Sequence, residues 1–416
     1  MMQADRFEPL LQEARLTQDP LRDKAWSLLV ERGFPTKKWE DFRHTPLPDL
    51  YRMAWKLPSP STEGGGCLPP PYPAVVFVNG HFSPSLSTIP SALVALPLRE
   101  AYLSYGPLLR KSFAESPSHD PFFLLNHALY QNGLFLYMAP RCSTAEPLSF
   151  LFVQTEPLTI LSPKVELFIG KESSISLIFN HLQKKPFNNW HNGTLQITLE
   201  EGAECFCFEN SSDLQQGFAF HSTRAMVKGG GLFHHFSLAS APSCVVRHQL
   251  CAQLVGEGAR AESRGLALLS HQGHTLFSTE IKHIAPHTRS CQGHKSVLAG
   301  RAHSHIFGTI YVDAKAQKTE AYQTSQQLLL SAQAKATGQP NLKIFADDVK
   351  ASHGFTCTQP NEEELFYLRA RGLGELEAKK EWVSGFCREQ VEMLPPFAQI
   401  VAKERVCSCL LNDQAI

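Results

Sequence analysis

The pattern of hydrophobic and polar positions changes texture twice along the chain. Up to about residue 147 apolar residues recur mainly at helical spacing, broken by loops. Ala25, Trp26, Leu28, Leu29 and Val30 suit a helix that ends at Gly33, a C-cap residue followed by Pro35. The run AVVFVNG from Ala74 predicts a strand entering a turn. Leu124, Leu125, Ala128 and Leu129 share one helical face, and LFLYM after Gly133 predicts another strand. From 148 to 357 short runs alternate at period two, as in Leu195, Ile197 and Leu199, which turns one face inward. Small turn positions follow them: Gly170, Gly202, Gly230, Gly258, Gly300, Ala314 and Ala332, with successive differences of 32, 28, 28, 42, 14 and 18. A corner without a bulky Cβ lets a coiled sheet bend. The uneven spacing leaves β-helix, sandwich and jelly roll all open.

After 358 the helical pattern returns. Asn361 reads as an N-cap with Glu364 at the N3 position of a capping box, and Gly372 closes the helix. A second helix carries Ala378, Trp382, Val383, Phe386 and Cys387 and stops before Pro395 and Pro396; a third starts near Phe397. The expected organisation is a mixed helical region 1–147 with a Pro/Gly-rich linker near 58–73, a β core 148–357, and a helical region 358–416.

Composition narrows the function. With 43% hydrophobic residues in 416, the chain can fill a large core, and a solenoid of this length can be one body. A net charge of zero predicts no broad footprint for nucleic acid. No apolar run approaches the ~20 residues of a membrane span. The start, MMQADRFEPLLQEARL, carries early acids and no apolar stretch of a signal peptide, and the eleven cysteines form no C-x-x-C pair. Reduced thiols in a cytoplasmic protein are therefore expected. Cys205 and Cys207 would share a strand face and pack in the core.

Candidate chemistry is sparse. Twelve of the eighteen histidines lie between 221 and 353, without the spacing of a mononuclear zinc site. His234 and His235 would point to opposite faces of a strand, His303 and His305 to the same face as a polar ladder, and His283 and His287 flank Pro286 in a structural turn. Asp347 and Asp348, on a strand, would alternate and bond to corner amides rather than meet on one reacting atom. Neither a G-x-x-x-x-G-K-[ST] loop nor a G-x-S-x-G elbow occurs, so ATPase activity of its own is not expected.

One ordered set of residues goes further. Asp347, Asp348, Val349, Ser352, His353, Gly354 and Thr356 are followed by Phe366, Tyr367, Leu368, Arg369, Arg371 and Gly372. Upstream stand Ser290, Lys295, Val297, Leu298, Phe307, Gly308, Ala316, Gln317, Leu328 to Ser331 and Pro340, and near the start the segment RGFPTKKWEDFRHTPLPDL, with Phe42 and His44 where Trp and Tyr are more usual. This set resembles the SufB/SufD family, paralogous scaffold subunits of iron–sulfur cluster assembly. The short chain and its D-D-V-x-x-x-H-G run resemble the SufD side.

The resemblance implies a mainly β protein with a right-handed parallel β-helix core between an N-terminal α/β region and C-terminal helices. It implies a non-catalytic subunit pairing with a SufB-like paralogue and a SufC-like ABC-type ATPase, assisting iron delivery and cluster formation. Iron or a cluster would be transient, and reduced FAD is linked to the complex, although no flavin motif is present. His353 would be the metal ligand, at the partner interface. A cysteine often stands two residues before this histidine; here it is Ala351, and Cys357 is the nearest thiol. The last strand is expected around Leu342 to Val349, after Pro340, with His353 at its end. Leu342, Ile344 and Asp347 would then border the paralogue, and Phe366, Tyr367, Arg369 and Arg371 the ATPase. The competing readings are a β-helix polysaccharide-active enzyme, a cupin-like metalloenzyme and a purely structural solenoid.

Overall fold

A column of left-handed corners sets the repeat. Arg141, Glu172, Gly202, Gly230, Gly258, His287 and Lys318 all have φ between 55° and 72°. The backbone N–H of each donates to a carbonyl one turn further along the chain, at 2.6 to 3.4 Å. Their positions differ by 31, 30, 28, 28, 29 and 31 residues. A turn of about thirty residues is thus the unit of the fold, a period that the glycines and alanines alone conceal. Gly300 belongs to a second column with His271, while four members of the first column carry side chains. At Gly256 the corners touch so closely that a Cβ would lie 2.0 Å from the nitrogen of Gly229.

The computed structural model describes residues 4–14, 20–59, 71–115, 120–183 and 185–409. Most of the linker expected at 58–73 lies outside them. Each turn gives one strand to each of two ten-stranded sheets, and the chain is a parallel β-solenoid of about eight turns flanked by N- and C-terminal helices. The first sheet runs from Ala74–Val78 through Leu148–Gln154, Ser174–Gln183, Glu204–Asn210, Leu232–Ala239, Arg260–Leu269, Arg289–Leu298 and Thr319–Leu329 to Val349–Thr358. The second runs from Leu134–Met138 through Lys164–Ile169, Asn189–Leu199, Gly217–Val227, Cys244–Leu254, His274–His283 and His303–Val312 to Lys335–Ile344. The two faces that meet inside bury Phe77, Phe150, Leu167, Ile197, Cys205, Cys207 and Phe233, so the cysteine pair is core.

The two ends of the stack differ. At the first turn each sheet reverses direction: His81–Phe82 pairs antiparallel with Ala74–Val78, and Leu93–Pro97 antiparallel with Leu134–Met138. Helix Leu98–Glu115 packs Leu98, Ala101 and Leu109 against Phe135 and Phe168 there. At the last turn, Lys335–Ile344 and Val349–Thr358 are edge strands. The expected single strand Leu342–Val349 is in fact the end of one strand, a corner at 345–348, and the start of the next. Pro340 lies inside Lys335–Ile344 rather than before it. The N–H of Phe345 donates to Val312 at 2.9 Å, so by strand alternation the N–H groups of the even residues face away from the stack. Pro340 lacks one of those outward donors, and proline is tolerated at such a position.

The helices lie on the flanks. Ala4–Ala14, Pro20–Arg32 and Leu47–Arg52 join Pro121–Leu129 over Trp190 and Phe220 of the second sheet. Gly33, at φ 86°, caps the second of them as expected. Glu375–Glu392 and Pro396–Cys409 lay Val383, Cys387, Val391, Ala398 and Ala402 over Phe208, Phe236, Leu266 and Leu268 of the first sheet. Among the described residues, both groups leave Ser352 to Thr358 of the last strand exposed.

Candidate functional site

The open end is built by the alternation of its last two strands. Val349–Thr358 pairs with Thr319–Leu329, placing His353 opposite Gln323. Gln323 is buried inside, so His353 continues an inward-facing column and is exposed only because no further turn covers it. His353 therefore stands in mid-strand, not at the strand's end. Phe355, two residues on, lies across the mouth against Gly338, where a Cβ would come within 2.0 Å of its ring. Cys357 is exposed on the same face of the strand, four residues from His353 and opposite Gln327, and Ala351 stands two residues before His353. Leu342 and Ile344 are half-buried at the other edge.

Asp347 and Asp348 sit in the corner, not on a strand. The Asp348 carboxylate pairs with Lys318 at 2.7 Å, and the hydrogen bond from that lysine holds it below the usual carboxylate range. Asp347 is exposed. The pair is a corner fixture rather than an acid–base dyad.

Helix Glu362–Ala370 follows at the same end. Asn361 caps it, accepting from Glu363 at 3.0 Å. Glu364 does not close the expected capping box; it accepts instead from the indole N–H of Trp382, tying this helix to the next. Only Leu365 is buried, while Phe366 is 70% and Tyr367 58% exposed. Arg371 stacks over Tyr367 at 5.0 Å and donates to its hydroxyl at 3.0 Å. Arg369 is exposed beside them. The N-terminal segment reaches this region too: Gln339 donates to Glu40, and the ring of His44 lies 4.8 Å from His305 and 5.6 Å from His303. His303 and His305 do share a face, under that segment, and burial pushes both down to about 4. His283 is a structural group, with Thr288 and Ser290 hydroxyls at 2.8 Å from its two ring nitrogens.

The sequence patterns gave no warning of the solenoid interior. In register, Cys207, His235, Ser263, Gln292 and Gln323 form one buried column that ends at His353. Beside it, Glu209 is fully enclosed. The His248 Nδ1 lies 2.7 Å and the His235 Nε2 3.3 Å from its oxygens, and the Thr223 hydroxyl donates to it. Burial pushes the Glu209 carboxyl up, but His235 and His248 together outweigh burial and hold it well below the ordinary value. His221 stacks on His248 at 5.1 Å and meets His181 and His191, ring centres 4.7 and 4.8 Å away. The signal that could have found this group is the period: His191 and His221 are one turn apart.

In class, then, this is a parallel β-solenoid with one finished end, one open end and a buried polar column within its apolar interior. The sequence model described as "SUF system FeS cluster assembly, SufBD core domain" matches residues 152–386, and the chain belongs to that family. It is 26% identical to an iron–sulfur cluster assembly SufBD family protein of Synechocystis, over 93% of this chain and 90% of that one. It is 25% identical to the iron–sulfur cluster assembly protein SufD of Escherichia coli, over 88% and 86% of the two chains. Protein ABCI7, chloroplastic, of Arabidopsis thaliana matches at 23% over 90% and 82%. The SufD-like resemblance read from the residues is borne out. No described helix is long and apolar enough to cross a membrane.

Proposed function

We propose that the chain is a non-catalytic scaffold subunit of an iron–sulfur cluster assembly complex, with its open end pairing a SufB-like paralogue and helix Glu362–Ala370 receiving a SufC-like ATPase. One observation carries the reading. Two adjacent edge strands present unpaired outward N–H and C=O groups around an exposed imidazole, His353. A paralogue with the same kind of edge continues both sheets by strand addition. The junction then forms around His353, where a partner thiolate or carboxylate completes a site for iron or a nascent cluster. Iron, the cluster and reduced FAD belong in this reading to the assembled complex. The E. coli relative's name as a cluster assembly protein supports it.

The test is copurification of a tagged chain with its paralogue. Ile344→Pro removes an outward N–H while leaving the bonds to the inner strand in place. Pairing should weaken about fivefold to tenfold, the scale of one hydrogen bond plus local steric cost. Unchanged affinity of the proline variant would remove the open edge from the interface.

A further inference from the structure

We propose that His181, His191 and His221 form an internal binding site for one divalent first-row transition-metal ion, inside the solenoid and separate from His353. Each imidazole comes from a different strand, and one nitrogen from each lies within 4.8 Å of the other two. Around a tetrahedral ion with bonds of about 2.05 Å the ligand nitrogens stand roughly 3.3 Å apart, so small ring rotations close the set. All three residues are buried. Both nitrogens of His191, Nδ1 of His181 and Nε2 of His221 have no hydrogen-bond partner among the described residues. Buried polar atoms are rarely left so, because each forfeits its hydration without return. One ion would take one nitrogen from each ring, three of these four atoms.

The backbone makes room for this arrangement. Gly193 stands opposite His221 in the ladder, and a Cβ at Gly193 would come within 2.6 Å of Nε2 of His191. A cavity of about 10 Å³, on the order of one water, is lined by His191, His221, Gly193, Thr194, Thr223 and Glu209. It borders two of the three imidazoles and Glu209, with Phe152, Phe179 and Val165 closing its other side. Burial, reinforced by the neighbouring imidazoles, holds His181 and His191 well below the ordinary histidine value, and burial brings His221 to about 3. Three neutral imidazoles suit zinc, iron, copper or nickel and not the oxygen-seeking magnesium or calcium. The neighbouring trio Cys207, Glu209 and His235 is a poorer site: burial pushes the Cys207 thiol well above its ordinary value, and Glu209 is already engaged.

The ligands are enclosed by the stacked turns, so the ion is taken up as the chain folds. The experiment follows from that. The full chain is unfolded in guanidinium, refolded with Co²⁺, desalted, and read for cobalt content and visible absorption. The expected result is about one cobalt per chain with the intense bands of a tetrahedral nitrogen site. His191→Phe and, independently, His181→Phe should each lose both signals, with folding checked by circular dichroism. His303→Ala with His305→Ala, and His353→Ala, should keep them. Cobalt-free wild-type protein overturns the proposal. So does cobalt that survives in a folded His191→Phe or His181→Phe chain, or that disappears with His303, His305 or His353.

Discussion

At the scale of the residue, exposure separates two kinds of histidine. His353 is exposed on a rim, so its loss leaves no cavity and should change stability by less than about 0.5 kcal/mol. His353→Ala is therefore expected to keep the pairing with the paralogue while lowering the iron or cluster content of the complex. Normal cluster formation by that variant would reduce His353 to an ordinary rim residue. His283 is the opposite case, enclosed between Thr288 and Ser290, with burial lowering it to about 4. Its unfolded form titrates near 6.5. As pH falls below that value the unfolded chain gains a proton that the folded chain refuses, so stability drops until the folded value is reached. Between pH 7 and pH 5 this one group should cost about 2 kcal/mol. Urea unfolding of His283→Gln at both pH values should show a loss smaller by that amount than in the natural chain; equal losses would contradict the assignment.

At the scale of the element, the sequence revealed strands and helices well and the repeat poorly. Alternation marked the strands, and Gly33 and Asn361 marked helix ends, because those signals are local. The thirty-residue period was hidden because a left-handed corner does not demand glycine when its N–H is held by the next turn. Arg141, Glu172, His287 and Lys318 occupy such corners. Without the period, Leu342 to Val349 looked like one strand, and the histidines of the interior looked unrelated. The helix after Asn361 shows the converse, a local signal overruled by a tertiary one. Glu364 had the right spacing for a box, but the Trp382 indole offered it a better partner. That helix buries Leu365 and leaves Phe366, Tyr367, Arg369 and Arg371 outward. Aromatic and arginine side chains so displayed are the composition of an interface. Phe366→Ala combined with Tyr367→Ala should weaken ATPase binding at least tenfold, with melting temperature nearly unchanged. Full binding by the double variant would place the ATPase elsewhere. Removing everything after Thr358 would not isolate the docking helix, since it also uncovers Phe208, Phe236 and Leu266.

At the scale of the whole molecule, the flanking helices and the stacked turns give a body whose ends are chemically unequal. The first turn finishes in antiparallel pairs, one of only two residues and one ending at Pro97, while the last turn finishes in two ten-residue parallel edges. Short or proline-terminated edges are poor templates for another strand. A rod that is sticky at both ends polymerises head to tail. A rod with a single adhesive end can only meet another such end, and once the two are joined neither has a surface left to offer. Growth then stops at two by geometry. If the open end pairs as proposed, the reversal at residues 74 to 97 leaves each chain one adhesive end, and the expected assembly is a closed pair rather than a filament.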